Sequence, residues 1–210
     1  VISVTLFLFF FFGSIVGSYF ETTNQRIARD DNLILDSNKR FLRSQCDDCK
    51  RELSWLDLFP IFSFLLLKGK CRYCKKPIKI DHLISEFLFG LIFCLLILSD
   101  NSFNLILTIP FFSFLFAIAL FDYKYFLIPK IYLLFFILIS FFSLYFEASL
   151  TNIVFASVMT LTVFVAKQIM DRIMKKETLG NGDLFLIFGL GLFHSCLLYT
   201  SDAADERNRV

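Results

Sequence analysis

The chain has 210 residues, is 57% hydrophobic with 30 Phe, and has a mean hydropathy of +0.68. That is too apolar for an ordinary soluble domain of this size. The net charge of +2 carries no information about partners; the distribution of the charges along the chain does.

Apolar stretches of about 17–25 residues read as membrane-spanning helices. Six are expected, at residues 1–20, 83–99, 103–121, 131–146, 150–170 and 184–200. The first has no basic leading region and no small-residue cleavage site after it, so it does not read as a signal peptide. The chain begins with Val1, and its natural start is expected to lie elsewhere. Between the first and second spans lies a polar insertion, 21–81, with 13 of the 21 Lys and Arg and four of the six cysteines. Inside it, residues 53–67 (LSWLDLFPIFSFLLL) are apolar but too short to span comfortably and carry Asp57 and Pro60. They read as a core or interfacial segment. The tail 201–210 is polar and is expected to be disordered or non-native.

The loops alternate in basic residues. Besides the insertion, residues 122–130 hold Lys124 and Lys130, and the loop after the fifth span holds Arg172, Lys175 and Lys176. The intervening loops, 100–102 and 147–149, hold none. By the positive-inside tendency the basic loops are cytoplasmic, which puts Asp122 and Asp183 on the same side.

Cys46-x2-Cys49 and Cys71-x2-Cys74 lie 21 residues apart. Each pair forms a tight knuckle that aims two thiolates at one ion, and two knuckles complete a four-cysteine zinc site. A closed set of four thiolates is structural, since it leaves no open position for chemistry. Free thiols and redox work are the alternatives. Cys94 and Cys196 read as small apolar residues within spans.

Asp122 closes one apolar run, and Asp183 opens another directly after Gly180-Asn181-Gly182. Carboxylates beside a bilayer core are expensive to keep and mark functional sites; two that meet point to acid–base hydrolysis by a carboxyl pair. Gly180 and Gly182 would leave room for a peptide backbone beside Asp183. Taken singly, each motif also fits a plainer reading, with Asp183 a helix N-cap and Asp122 an interfacial partner of Lys124. If the expected helix ends hold, Asp183 sits at a positive helix end and suits the role of base, and Asp122 at a negative one suits the proton donor.

The Asp before a basic loop, the six-residue spacer to Pro129, the GxGD sequence and the double CxxC together resemble the bacterial prepilin peptidases, the membrane aspartic proteases of the type IV leader peptidase family. Gly17-Ser18 resembles the family's GSF-type start. Asp57-Leu58-Phe59-Pro60 and Lys68-Gly69-Lys70-Cys71-Arg72 resemble its DLIP and RGRCR segments. The resemblance runs from about Gly13 to Gly191. The chain departs from the family pattern at Lys130, where an Asp is usual, and at residues 21–25. The resemblance implies an all-α polytopic membrane protein of about six transmembrane helices with a cytoplasmic zinc-knuckle insertion. The expected division is a first helix 1–20, a zinc-binding insertion 21–81, a helical peptidase domain 82–200 and the tail 201–210. It also implies a bacterial inner-membrane location, cleavage of prepilin or pseudopilin precursors after a glycine at the cytoplasmic face, and Asp122 and Asp183 as the catalytic pair. S-adenosylmethionine, for N-methylation of the new amine, comes by resemblance only. The partners expected are the precursor peptides and the lipid bilayer, with no nucleic acid. A catalytically inactive zinc-knuckle scaffold of a pilus or secretion machine is the competing reading.

Overall fold

Apolar side chains on every face of a helix suit a lipid environment, and the chain folds accordingly. Its structure, a computed structural model, describes residues 2–29, 43–46, 48–98, 105–146 and 150–193. The tail 201–210, Cys196 and the end of the sixth expected span lie outside the described residues. Among the described residues there are seven α-helices and no β-strand beyond isolated bridges: α1 (Ile2–Ala28), α2 (Phe62–Leu66), α3 (Ile80–Leu98), α4 (Leu105–Tyr125), α5 (Lys130–Phe146), α6 (Leu150–Met174) and α7 (Asn181–Phe193). Four stretches are long and apolar enough to cross a membrane: Ser3–Ala28, Ile80–Leu98, Leu105–Tyr125 and Ile153–Met174. Lys130–Leu144 and Asn181–Phe193 are shorter apolar helices. Among the described residues, the six expected spans are four full-length helices, one shorter helix and the described start of the sixth.

The helices overrun the apolar stretches into polar sequence. The largest overrun is in α1, which continues past Phe20 through ETTNQRIA to Ala28. No Gly or Pro interrupts that stretch, and its Glu21, Thr23 and Asn24 are buried. The helix thus carries polar side chains in its interior-facing stripe, which a hydropathy reading assigns to a loop.

The chain divides into two compact units, Val1–Ser99 and Asp100–Val210. In the first, α1 and α3 pack along most of their length. Glycines allow this closeness. A Cβ on Gly13 would lie 2.6 Å from the Phe89 carbonyl oxygen, and one on Gly17 would lie 2.7 Å from that of Ser85. Gly13-x3-Gly17 is thus a small-residue seam of the kind that lets helix backbones meet in a membrane. Phe20 stacks on Phe89 at 5.6 Å beside it. Because the obstructing atoms are backbone, Gly13→Ala is expected to force the helices apart and cost about 1–3 kcal/mol. Thermal unfolding in detergent should show this loss, while Ile15→Ala, at an exposed neighbour, should leave the midpoint nearly unchanged.

In the second unit, α4 and α5 pair through Phe111 against Phe136 (4.8 Å) and Phe114 against Phe135 (5.5 Å). α7 seats against this pair and against α6. Phe193 stacks on Phe111 at 3.6 Å. Gly189 faces the Phe136 ring, where a Cβ would come within 2.6 Å, and Gly191 faces the Ala156 backbone at 2.9 Å. These contacts fix the helix that carries Asp183.

Candidate active site and metal centre

The two cysteine knuckles have the same backbone. In each, the N–H of the first cysteine donates to the carbonyl five residues on (Cys46 to Arg51, 3.0 Å; Cys71 to Lys76, 2.9 Å). The N–H four residues on donates back to the same cysteine's carbonyl (Lys50 and Lys75, both 3.0 Å). Lys50 and Lys75 both take left-handed φ, 55° and 60°, and a bridge closes each knuckle, Gln45 with Glu52 and Lys70 with Pro77. The contacts between knuckles repeat too. Lys76 Nζ reaches Asp48 at 2.8 Å, and the equivalent positions place the Arg51 guanidinium over the Tyr73 ring at 5.4 Å.

This pseudo-twofold arrangement converges the four sulfurs, which all lie within 4.8 Å of one another. The Cys46 and Cys74 sulfurs are 3.8 Å apart, too far for a disulfide. A tetrahedral thiolate site with metal–sulfur bonds of about 2.3 Å has sulfurs about 3.8 Å apart, so the set fits such an ion. Burial pushes the Cys46 thiol up to about 11. Burial also works against the Cys71 thiolate, yet backbone N–H groups of Cys74 and Tyr73 and hydrogen bonds from Cys46 and Cys74 bring it down to about 7.

Asp57 ties the segment between the knuckles to the second one. Its side chain is only 3% exposed and pairs with Arg72 Nε at 2.8 Å. It also accepts from Ser54 Oγ at 2.7 Å and Ser54 N at 3.2 Å. Burial opposes its charge, but the Ser54 hydrogen bonds and the Arg72 guanidinium hold its pKa below the ordinary carboxylate value. The stability this adds is fully present above about pH 3.9. It is lost as pH falls through the lower, folded-state value. The stability difference between wild type and Asp57→Asn should therefore close in that acid window. The thiolates protonate in both proteins, so the difference isolates Asp57.

Asp122 lies in the last turn of α4, exposed, and its carbonyl accepts the N–H of Phe126 at 2.8 Å. Phe126 ends the helix at a left-handed φ of 54°. Two residues on, Ile128 packs on Gly182, where a Cβ would sit 3.3 Å from Ile128 Cδ1. The loop following Asp122 therefore adjoins the turn that precedes Asp183. Neither Gly180 nor Gly182 takes a left-handed φ; closeness, not backbone freedom, is what the structure uses here.

Asp183 is not the N-cap of its helix. α7 begins at Asn181, so Gly180 occupies the cap position and Asp183 stands third inside the helix. Its Oδ2 accepts the Gly180 N–H at 3.0 Å, the reciprocal half of a capping box. Two anchors on α6 hold the approach to this turn. Asp171 Oδ1 accepts both the N–H and the hydroxyl of Thr178 at 2.7 Å, and Lys167 Nζ donates to Asn181 Oδ1 at 2.8 Å. Sequence reasoning missed Asp171, Thr178 and Ile128. The one signal was polar side chains in the last turns of an otherwise apolar helix.

A family model described as "Bacterial Peptidase A24 N-terminal domain" matches residues 11–100, and one described as "Type IV leader peptidase family" matches residues 109–200. The gap between them, 101–108, begins just after the division between the two compact units. Relatives named "Prepilin leader peptidase/N-methyltransferase" align with part of the chain. That of Vibrio cholerae serotype O1 is 37% identical over 95 residues, 42% of this chain and 36% of the relative. That of Myxococcus xanthus is 33% identical over 90 residues, 42% of this chain and 25% of the relative. That of Bacillus subtilis is 35% identical over 88 residues, 42% of this chain and 33% of the relative. The chain thus covers about a quarter to a third of these relatives' lengths. No solved structure matches it.

Proposed function

Because the chain belongs to the type IV leader peptidase family, we propose that it is a membrane aspartic endopeptidase that removes the basic leader of prepilin-like precursors at the cytoplasmic face. Asp122 and Asp183 are its catalytic pair. The observation that supports the pair is the packing of Ile128 on Gly182, which adjoins the two segments that carry these residues. The run of Lys and Arg in alternate loops supports the cytoplasmic side.

In this mechanism Asp183, held in the first turn of α7 by the Gly180 N–H, takes a proton from the attacking water. Asp122 donates a hydrogen bond to the scissile carbonyl and then its proton. Brought together on a bound substrate, the two carboxyl groups would share one proton, because both do not ionise easily together. Water adds to the carbonyl carbon to give a gem-diol; as its C–N bond breaks, the proton held on Asp183 passes to the departing amine and a hydroxyl proton of the gem-diol returns to Asp122, which restores both carboxyl groups. Gly180 and Gly182 leave a bare strip beside Asp183 for the substrate backbone.

Cys46, Cys49, Cys71 and Cys74 hold a zinc ion that shapes the insertion and takes no part in the cleavage. N-methylation of the new amine with S-adenosylmethionine enters through the relatives' names alone, and no residue of this chain is given a part in it. The test is direct. The full chain in proteoliposomes is incubated with a synthetic precursor peptide carrying a short basic leader, a glycine and an apolar segment. Mass spectrometry should show one cut, after the glycine. A folded, zinc-loaded protein that leaves the peptide whole would favour the membrane-scaffold reading instead.

A further inference from the structure

The segment between the two knuckles exposes the wrong side chains for water. Trp55 is 79% exposed, Leu56 66%, Phe62 49%, Leu65 62% and Leu66 82%. A contiguous apolar surface of this kind marks an interaction site. We propose that residues 55–67 form a re-entrant segment that dips into the same bilayer that α1 and α3 span, so that acyl chains cover these side chains.

Three observations within the first unit carry this. The middle of the segment reaches the membrane-spanning part of α1. Phe59 meets the ring of Phe11 at 5.9 Å, and Phe11 stands nine residues before Phe20, about 14 Å along α1 at 1.5 Å per residue. On the α3 side, the segment's turn is held by Glu86, whose Oε2 accepts the Ile61 N–H at 2.7 Å. Glu86 sits beside Gly17, inside the α1–α3 seam.

Much of the backbone between residues 61 and 69 is also bonded within the protein. Non-helical chain in a bilayer survives only where its N–H and C=O groups find partners within the protein. Pro60 brings no N–H. The Ile61 N–H goes to Glu86, and those of Ser63, Leu65, Leu67 and Gly69 go to the carbonyls of Phe59, Ile61, Ser63 and Phe64. Ile61 keeps a left-handed φ of 61° to make this turn, a conformation that a β-branched residue rarely takes. A water-facing loop needs none of this saturation.

Finally, the ends of the segment are suited to an interface. Trp55 leads it, an aromatic that favours the headgroup level. Asp57 turns away from the apolar surface to Arg72 of the second knuckle, and Lys68 and Lys70 follow its last leucine. The knuckles are thereby tethered to the membrane surface from between, independently of any cleavage chemistry.

Trp55 is the sole tryptophan of the chain, so its fluorescence reports on this segment alone. The full chain is reconstituted in phosphatidylcholine–phosphatidylglycerol vesicles that carry bromines at shallow or deep acyl positions. Trp55 is expected to lose most of its emission to shallow bromines and to be shielded from aqueous iodide. The Trp55→Phe, Phe62→Trp double variant moves the probe to the middle of the segment, next to the turn at Ile61, and should be quenched best by deep bromines. Zinc content equal to wild type shows that the variant is folded. Quenching by iodide without quenching by bromolipid would place the segment in water and overturn the proposal. A blue-shifted emission that neither quencher touches would mean that protein, such as a second copy of the chain, covers it, and would overturn it equally.

Discussion

Asp183→Asn and Asp122→Asn are each expected to lower kcat/KM for leader cleavage by about 10²–10⁴-fold, the usual worth of a positioned acid or base. The double variant should be little worse than either single one. The two carboxyl groups act on one proton, and residues that act as a unit are strongly non-additive. Gly180→Ala supplies an independent check on the geometry. Its Cβ would lie 3.2 Å from Asp183 Oδ2, close enough to push the carboxylate from its place without removing it. That variant should lose kcat and, because its methyl also intrudes on the strip left for the substrate backbone, raise KM. The protein should reach the membrane in normal amounts in every case, since Asp122 is exposed and Asp183 half-buried. Full processing by either Asn variant would remove the aspartic mechanism.

The second large effect is expected at the knuckles. Cys46→Ser combined with Cys74→Ser takes one thiolate from each knuckle and should bring the zinc content of the purified chain to zero by elemental analysis. Structural zinc is worth an apparent ~10–16 kcal/mol in finger peptides near neutral pH, comparable to the whole stability of a domain. The hydrogen bonds at Cys46 and Cys71 hold their loops only while the four sulfurs have a common ligand. Residues 43–79 should therefore become sensitive to protease, while the α1–α3 seam, built on Gly13 and Gly17, stays closed. Removing the Asp48–Lys76 pair, which is exposed on both sides, should change little by comparison. Metal content that is unaltered in the double cysteine variant would rule out this ligand set.

The four cysteines were more legible in the sequence than their surroundings. The cysteine spacing gave the metal set directly, because knuckle geometry is local and the structure brings those four sulfurs together. The helices were legible because apolar runs of that length have few alternatives. Their packing was not. The Phe-rich helices are apolar on all sides, so no stripe shows which face meets which neighbour, and α3 gives no hint that its partner is α1. The seam was written in Gly13-x3-Gly17, yet small residues in an apolar run fit a contact with any helix. Asp183 as an N-cap was a fair reading of Gly-Asn-Gly-Asp, since Asp favours that position. The helix instead starts three residues earlier, because Gly180 can cap and Asp183 can reach back to it. The reading of residues 53–67 as a core or interfacial segment left two outcomes open for a similar reason. Length and composition are the same for a buried segment and an exposed apolar one, and only the exposed Trp55, Leu65 and Leu66 separate them.

The seating of α7 has a consequence for how activity can be tuned. Gly189 and Gly191 press bare backbone against Phe136 and Ala156, six and eight residues beyond Asp183. At 1.5 Å per residue this is about 9–12 Å from the carboxylate. The helix behaves as a lever that pivots at those glycines, with Asp183, the proposed base, on an arm restrained only by exposed hydrogen bonds with Lys167 and Asp171 and by Ile128. A methyl added at the fulcrum tilts the arm, and a misplacement of about 1 Å at a reacting group can cost about 10²-fold in rate. Substitutions at Gly189 and Gly191 would then have the kinetic signature of active-site lesions although neither residue meets the substrate. Alignment of the proposed catalytic pair would thus be set by depth of insertion at one end of a helix and read out as chemistry at the other.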